Sequence, residues 1–388
     1  MSRMSDDTMT ERAVAHRRTL HAIPEVGLDL PKTVAYIRQA IAAAGFKAMD
    51  CGGGLIVDIG NAGPLIAIRA DMDALPIVEE TGLSFASTHA GAMHACGHDA
   101  HSGALIACAE AYAGMPPQDY RVRLIFQPGE EGYFGAKAMI AAGCLSGVSA
   151  IVGAHVGHLS EELEPGQAGF LPGPMMAASD LFAGRFIGSG GHGAAPHQAL
   201  DPIPALAQFV DALQAFRNRV PDQRKPFVVS LCELSAGTTY NVIPGEARFK
   251  GTARTLEPAE RALARTGIER ACAGIAAVHG LGYEFEWLPG YPPLTNDAKA
   301  TGIVMAAASS ALGPENVRQM VVPSMGGEDF AYYLAQVPGC FWFFNTQASD
   351  EGKTYPNHHP RFDVDERLLG KVAMVNMAAA AALARDYA

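Results

Sequence analysis

The sequence predicts an α/β protein in which a doubly wound domain is interrupted by an inserted ferredoxin-like unit. Three observations point there. Short apolar, β-rich runs alternate with helical stretches through residues 1–180 and again over 295–388, the pattern of a sheet built with crossover helices. Between them, 181–294 reads strand, helix, strand, strand, helix, strand, the split βαββαβ unit. Finally, the side chains suited to binding a metal or moving a proton gather in the outer segments, mostly where an apolar run ends.

A chain of 388 residues exceeds one ordinary core. Apolar residues make up 49% and charged residues 18%, as in a globular protein. The net charge of −11, with no basic stripe against it, argues against a nucleic-acid partner. Seven scattered cysteines, an odd number without a CxxC pair, suit a reducing compartment. The polar, acidic 1–11 segment is not expected to be a signal peptide, and no run is expected to reach the ~18 apolar residues of a membrane span. A cytoplasmic location and no membrane partner are therefore expected.

Residues 11–21 predict an amphipathic helix ended by Pro24, with His21 read as structural or as a support behind the site. A second helix over 32–44 stops at Gly45. Strands follow at 54–60 and 65–70. The second exits into Asp71 and Asp73, where open α/β sheets place ligands. Either acid could merely cap the loop; Asp73 is preferred as the carboxylate that orients a metal-bound imidazole.

The stretch Met93-His94-Ala95-Cys96-Gly97-His98-Asp99-Ala100-His101 packs a Cys, three His and an Asp into nine residues. Cys96 and His98 are two apart, so in extended or turn geometry both can face one side, and thiolate with imidazole suits an ion such as zinc. After a helix over 102–113, a strand over 121–126 delivers Glu130 and Glu131 between Pro128-Gly129 and Gly132. On a strand they would diverge; at a strand-to-helix turn both reach one centre, where one carboxylate binds metal and the other accepts a proton from water. A run over 150–155 ends in His155, and Asn357-His358-His359-Pro360 adds two more imidazoles. Together these residues point to a metal-dependent hydrolase.

Within the insert, strands are expected at 181–187, 227–234, 247–253 and 283–288, and helices at 202–216 and 258–279. Gly188-Ser189-Gly190-Gly191-His192-Gly193 matches GxGxxG, yet Ala194-Ala195-Pro196-His197 follows instead of a helix, so a dinucleotide site is rejected. The glycines more simply let backbone and His192 approach a ligand. The α/β pattern resumes after Asn296 and ends in a helix over 366–385.

With these residues in place, the chain resembles the dinuclear metal amidohydrolases that include aminoacylases, hippurate hydrolases, carboxypeptidase-like enzymes and plant hydrolases of indole-acetyl-amino acids. It is most similar to the hippurate and auxin-conjugate branch. The likeness runs through His21-Ala22-Ile23-Pro24-Glu25, 69–76, 93–101, 126–132, His155, 190–197, Asn241-Val242-Ile243-Pro244, Gly251-Thr252-Ala253-Arg254, Gly326-Gly327-Glu328-Asp329-Phe330 and His358-His359-Pro360.

The resemblance implies that Cys96, His98, Glu131, His155 and His358 bind two divalent ions, whether zinc, manganese, cobalt or nickel. Glu130 would be the general base and Asp73 the supporting acid. His192 would be a lid histidine that reaches across a dimer to the oxyanion, and Asn241 and Arg254 would hold the substrate's carbonyl or carboxylate. His359 remains an alternative to His358. His158 departs from the family pattern and is left outside the site. The implied architecture is a metallo-hydrolase domain, 1–180 and 295–388, with a lid and dimerisation domain at 181–294. The implied reaction is amide hydrolysis of a small N-acyl amino acid by a homodimer or higher homo-oligomer. The alternatives are a dipeptidase or carboxypeptidase on the same scaffold and a non-catalytic metal-binding protein.

Overall fold

The computed structural model describes residues 5–348 and 354–387. The chain forms two compact units. The first runs through Met175 and returns over Thr295–Ser324 and from Asp329 onward; the second comprises Met176–Leu294 with Met325–Glu328.

The first unit is built on an eight-stranded sheet in the order Met49–Cys51, Gly54–Ile59, Arg121–Gln127, Leu65–Asp71, Val148–Gly157, Gly339–Asn345, Ala168–Phe170, Val317–Gln319. Its centre is parallel: Leu65–Asp71 pairs in parallel with both Arg121–Gln127 and Val148–Gly157, which pairs in parallel with Gly339–Asn345. Three of these strands run out, at their carboxyl ends, into Asp71 and Asp73, into Glu130 and Glu131, and into the His155 segment. That is the edge where open α/β sheets bind ligands. Strand Gly339–Asn345 is wholly buried and contributes Trp342, stacked on Phe170 with centroids 5.7 Å apart.

Helix Asp6–His21 starts five residues earlier than the periodicity predicts, because the Ser5 hydroxyl accepts the Thr8 N–H and Asp6 and Asp7 sit at the positive helix end. Helix His98–Ala113 likewise starts early, at His98 instead of Ser102. The Cys-His stretch therefore straddles a helix N-terminus rather than lying in an extended loop. A further correction concerns the apolar runs. Glu366–Asp386 has a mean hydropathy of 1.3 over a window long enough to cross a membrane. It does not stand apart: 56% of that window is buried, and helix Leu369–Asp386 packs on Asp6–His21, His98–Ala113 and Ala298–Leu312.

The second unit is a four-stranded antiparallel sheet in the order Phe227–Ala236, Glu246–Thr255, Ala178–Ile187, Gly282–Leu288. Helices Pro202–Arg219 and Pro258–His279 pack on it around Phe182, Phe186, Phe209 and Phe249, with Phe209 and Phe249 centroids 4.3 Å apart. Each helix opens on a proline, which needs no N–H partner there, and Asp201 caps the first by accepting the Ile203 N–H. A two-stranded ribbon pairs Gly191–His192 with Val242–Ile243.

Candidate metal centre

Cys96 and His98 are brought together by Gly97, whose φ of +88° is open to glycine at little cost. A Cβ there would also lie 2.7 Å from Val156 Cγ2. The Cys96 sulfur lies 3.5 Å from His155 Nε2 and 3.3 Å from His358 Nε2. Among the described residues, three sets of donor atoms within 4.8 Å of one another join two or more of the predicted ligands: Cys96–His98–His155, Cys96–Glu131–His358 and His98–Glu130–Glu131. Cys96 is common to the first two, and Glu131 links the second to the third.

The donor set fits divalent ions. His98 Nδ1–H donates to the Asp73 main-chain oxygen at 3.0 Å, which leaves Nε2 as the nitrogen available to an ion; among the described residues that buried atom has no hydrogen-bond partner. His155 Nδ1–H donates to Val156 O at 2.8 Å, turning its Nε2 toward Cys96. The charges agree. Bonds to Cys96 and Glu131 raise His358 to about 10, and although burial opposes it, the Asp71 carboxylate holds His98 well above the imidazole range. Burial raises Glu131, but the His358 bond and the His98 charge bring it below the usual carboxylate value. Burial lifts the Cys96 thiol. A thiol and carboxylates that draw protons onto neighbouring imidazoles form a site whose missing charge is positive.

Asp73 is fully buried, and its carboxylate accepts the backbone N–H groups of Glu130 at 3.0 Å and Glu131 at 3.1 Å. It also stands 3.4 Å from His98 Nδ1. One side chain thus fixes the Glu-Glu turn and faces an imidazole of the cluster. Glu130 is buried, and its Oε1 accepts the Asp329 N–H at 3.2 Å. Asp329 itself belongs to a buried group with Arg69 and Gln127, and burial pushes its carboxyl up to about 6.

The two C-terminal histidines separate clearly. His358 adopts φ +70°, a conformation unfavourable for a side-chain-bearing residue, and is held in it by its N–H donating to Ala95 O at 2.7 Å. Its ring also reaches Glu131 Oε1 at 3.1 Å. His359 turns away: Nδ1 accepts the Arg361 N–H at 3.0 Å and the ring stacks on Tyr355. His158 approaches Glu161 at 3.7 Å and joins none of the donor sets.

In the second unit, His192 and Asn241 are neighbours on the ribbon. His192 pairs with Val242, and Gly193 N–H donates to Asn241 O at 2.8 Å. His192 is exposed, and its Nδ1 accepts the Ala194 N–H at 3.0 Å, leaving Nε2 outward. Arg254 lies elsewhere, on strand Glu246–Thr255. Its guanidinium donates to Ala253 O at 3.2 Å, Asp180 O at 3.4 Å and Thr252 Oγ1, and among the described residues it pairs with no carboxylate. Asp180 is taken instead by Arg261, through contacts of 2.7 and 2.6 Å.

Other residues at or behind the centre were given no ligand or catalytic role in the sequence reading. Asn357 donates to Cys96 O at 3.2 Å and approaches its sulfur at 3.8 Å. Gly157, at φ +121°, makes room for it, since a Cβ there would lie 2.4 Å from Asn357 Oδ1. His21 bonds Asp99 at 2.8 Å, and Arg17 ties Asp99, Asp363 and Glu366 at 3.1, 2.6 and 2.9 Å. The one available signal for these was adjacency: Asn357 precedes His358 and Asp99 follows His98.

Comparison with known proteins agrees with this geometry. Residues 67–380 match the family described as Peptidase family M20/M25/M40. The chain is 39% identical over 375 residues to the N-acetylcysteine deacetylase of Bacillus subtilis strain 168, covering 94% of this chain and 95% of that protein. It is 41% identical over 303 residues to the N-acyl-L-amino acid amidohydrolase of Geobacillus stearothermophilus, covering 76% and 80%. A crystal structure of a Bacillus subtilis protein, described as a dinuclear metal binding peptidase from the M20 family, superposes with a TM-score of 0.83 at 36% identity, covering 98% and 99%. With its buried Cys-His-Glu cluster at the carboxyl edge of a parallel sheet, this chain belongs to the M20 family of metal-dependent amidohydrolases and peptidases.

Proposed function

We propose that the protein hydrolyses the amide bond of N-acyl amino acids, releasing a carboxylic acid and an amino acid. The observation that carries this reading is Glu130. A site that only stored metal would have no use for a buried carboxylate beside Glu131 and His98, anchored through its own backbone by Asp73 and through Oε1 by Asp329. Names of relatives that act on acetylcysteine and acyl amino acids support the substrate class.

Cys96, His98, Glu131, His155 and His358 would hold two ions, drawn from zinc, manganese, cobalt or nickel; when bound, such a pair polarises a carbonyl and acidifies water. Glu130 takes the proton of the attacking water and returns it to the leaving amine. The Asp73 carboxylate fixes the Glu130 backbone, and the Asp329 N–H holds its side chain from swinging away during that exchange. Arg254 is assigned the substrate carboxylate, which a guanidinium can grip with two parallel hydrogen bonds. His192 is assigned the developing oxyanion and Asn241 the acyl carbonyl. The Met176–Leu294 unit is accordingly assigned the lid and dimer-forming role, in a cytoplasmic homodimer.

The test is a mass-spectrometric panel of N-acetyl, N-benzoyl and indole-acetyl amino acids beside free dipeptides, run with zinc, manganese or nickel. Cleavage of acyl amino acids that Glu130→Ala abolishes is the expected result. Preferential cleavage of free dipeptides would transfer the assignment to a dipeptidase.

A further inference from the structure

His101 is the third histidine of the Met93–His101 stretch, and nearness alone makes it a candidate ligand. Its ring stacks on His98 with centroids 5.5 Å apart and meets His155 edge-on at 4.8 Å. Asp71, His98 and His101 also form a donor set of their own. The hydrogen bonds say otherwise. Val156 N–H donates to His101 Nε2 at 2.8 Å, so that nitrogen carries the lone pair and the proton sits on Nδ1. Nδ1–H in turn donates to Asp71 Oδ1 at 2.6 Å, and the other Asp71 oxygen accepts Arg69 Nη1 at 2.6 Å. Both ring nitrogens are thereby committed, within a pocket where all three side chains are buried.

What His101 grips is the peptide that joins His155 to Val156. The next carbonyl, Val156 O, receives the His155 ring proton. The backbone that selects the His155 tautomer is therefore pinned one atom group away by His101.

We infer that His101 is a positioning residue, not a ligand: it fixes the His155–Val156 peptide so that His155 presents Nε2 to the metal centre. Asp71 is the acid that sets the His101 tautomer, and Arg69 holds Asp71. The chain Arg69–Asp71–His101–Val156 links two neighbouring parallel strands at their carboxyl ends. This role rests on the assignment of His155 as a ligand.

Zinc is the probe, and the full-length chain with 15N-labelled histidine is the sample. Long-range 15N–1H correlation is expected to show His101 protonated at Nδ1 and bare at Nε2, both without zinc and with two equivalents; His101→Gln identifies the signals by their loss. A His101 nitrogen that moves to a zinc-bound shift overturns the inference. Chelator competition then reads affinity. His155→Ala is expected to lose one zinc of two. His101→Gln keeps an acceptor for Val156 N–H and should hold both ions within about threefold of wild type, whereas His101→Phe should weaken one by roughly 10–100-fold. Two zinc ions bound by folded His101→Phe at wild-type affinity overturn the role. Should His101→Phe fail to fold, the tautomer and the Gln variant decide. Retention of both ions by His155→Ala would remove the ligand assignment, and the positioning role with it, a result distinct from failure at His101 alone.

Discussion

The Asp73 carboxylate accepts two consecutive backbone N–H groups, those of Glu130 at 3.0 Å and Glu131 at 3.1 Å. An amide in its place could accept only one of them and would turn an NH2 group on the other. Asp73→Asn should therefore misplace Glu130 and Glu131 together, the proposed proton acceptor and a proposed ligand, weakening zinc and lowering kcat/KM by roughly 10–100-fold each. Zinc content by mass spectrometry beside steady-state kinetics checks this, and wild-type values for both would refute it.

Glu130→Gln preserves shape and the acceptor for Asp329 N–H while removing the base. Turnover should fall by at least about 10²-fold with zinc stoichiometry unchanged. A variant that loses zinc along with activity would make Glu130 a ligand.

His358→Ala should lose one ion and His359→Ala neither, because only the His358 ring faces Cys96 and Glu131. Equilibrium dialysis against zinc distinguishes them, and the reverse pattern would exchange their roles.

Away from the ions, His21 makes folding stability depend on alkali. Burial disfavours its charge, but Asp99 at 2.8 Å and Glu79 at 3.2 Å overcome that and raise it from 6.5 to about 9. A pKa raised in the folded state means a contribution fully present below 6.5 and lost as pH climbs through about 9. The shift is worth on the order of 3 kcal/mol. Urea unfolding at pH 6 and pH 9.5 should show the wild type losing that much more stability than His21→Gln; equal losses would rule it out.

Gly97→Ala should cost about 1–3 kcal/mol in stability from the φ of +88° alone, and more from the approach of its Cβ to Val156. Thermal unfolding of the zinc-free protein is the measurement, and an unchanged midpoint would contradict the argument.

Much of this was legible in the sequence for physical reasons. Glu130 and Glu131 sit between proline and glycine after an apolar strand, so their turn announces itself. The βαββαβ order emerges from alternating runs and from prolines that open helices at Pro202 and Pro258. The start of helix His98–Ala113 was placed too late because the expected helix followed the small apolar run from Ser102, whereas the polar residues from His98 already belong to it and Gly97, left-handed, precedes them. The Glu366–Asp386 segment was underrated as an apolar run because polar residues such as Asn376 interrupt it; that side chain is turned inward to bond Trp342. Asn357, His101 and Arg17 could not be assigned, since each acts through a partner distant in sequence, and no local spacing encodes such a meeting.

The donors around Cys96 also impose an order on synthesis. A chain made from its amino end exposes the thiol, then the two glutamates and His155, long before His358 and its neighbours Asp363 and Glu366 leave the ribosome. Until then Arg17 lacks two of its three acids and Cys96 lacks one of the three imidazoles grouped with it, that of His358. The nascent protein thus carries an incomplete chelator with an open sulfur, able to trade or lose an ion. Only release of the last segment completes the donor set, so the side chains proposed to hold the ions first come together late in synthesis, when the carboxyl-terminal helix docks.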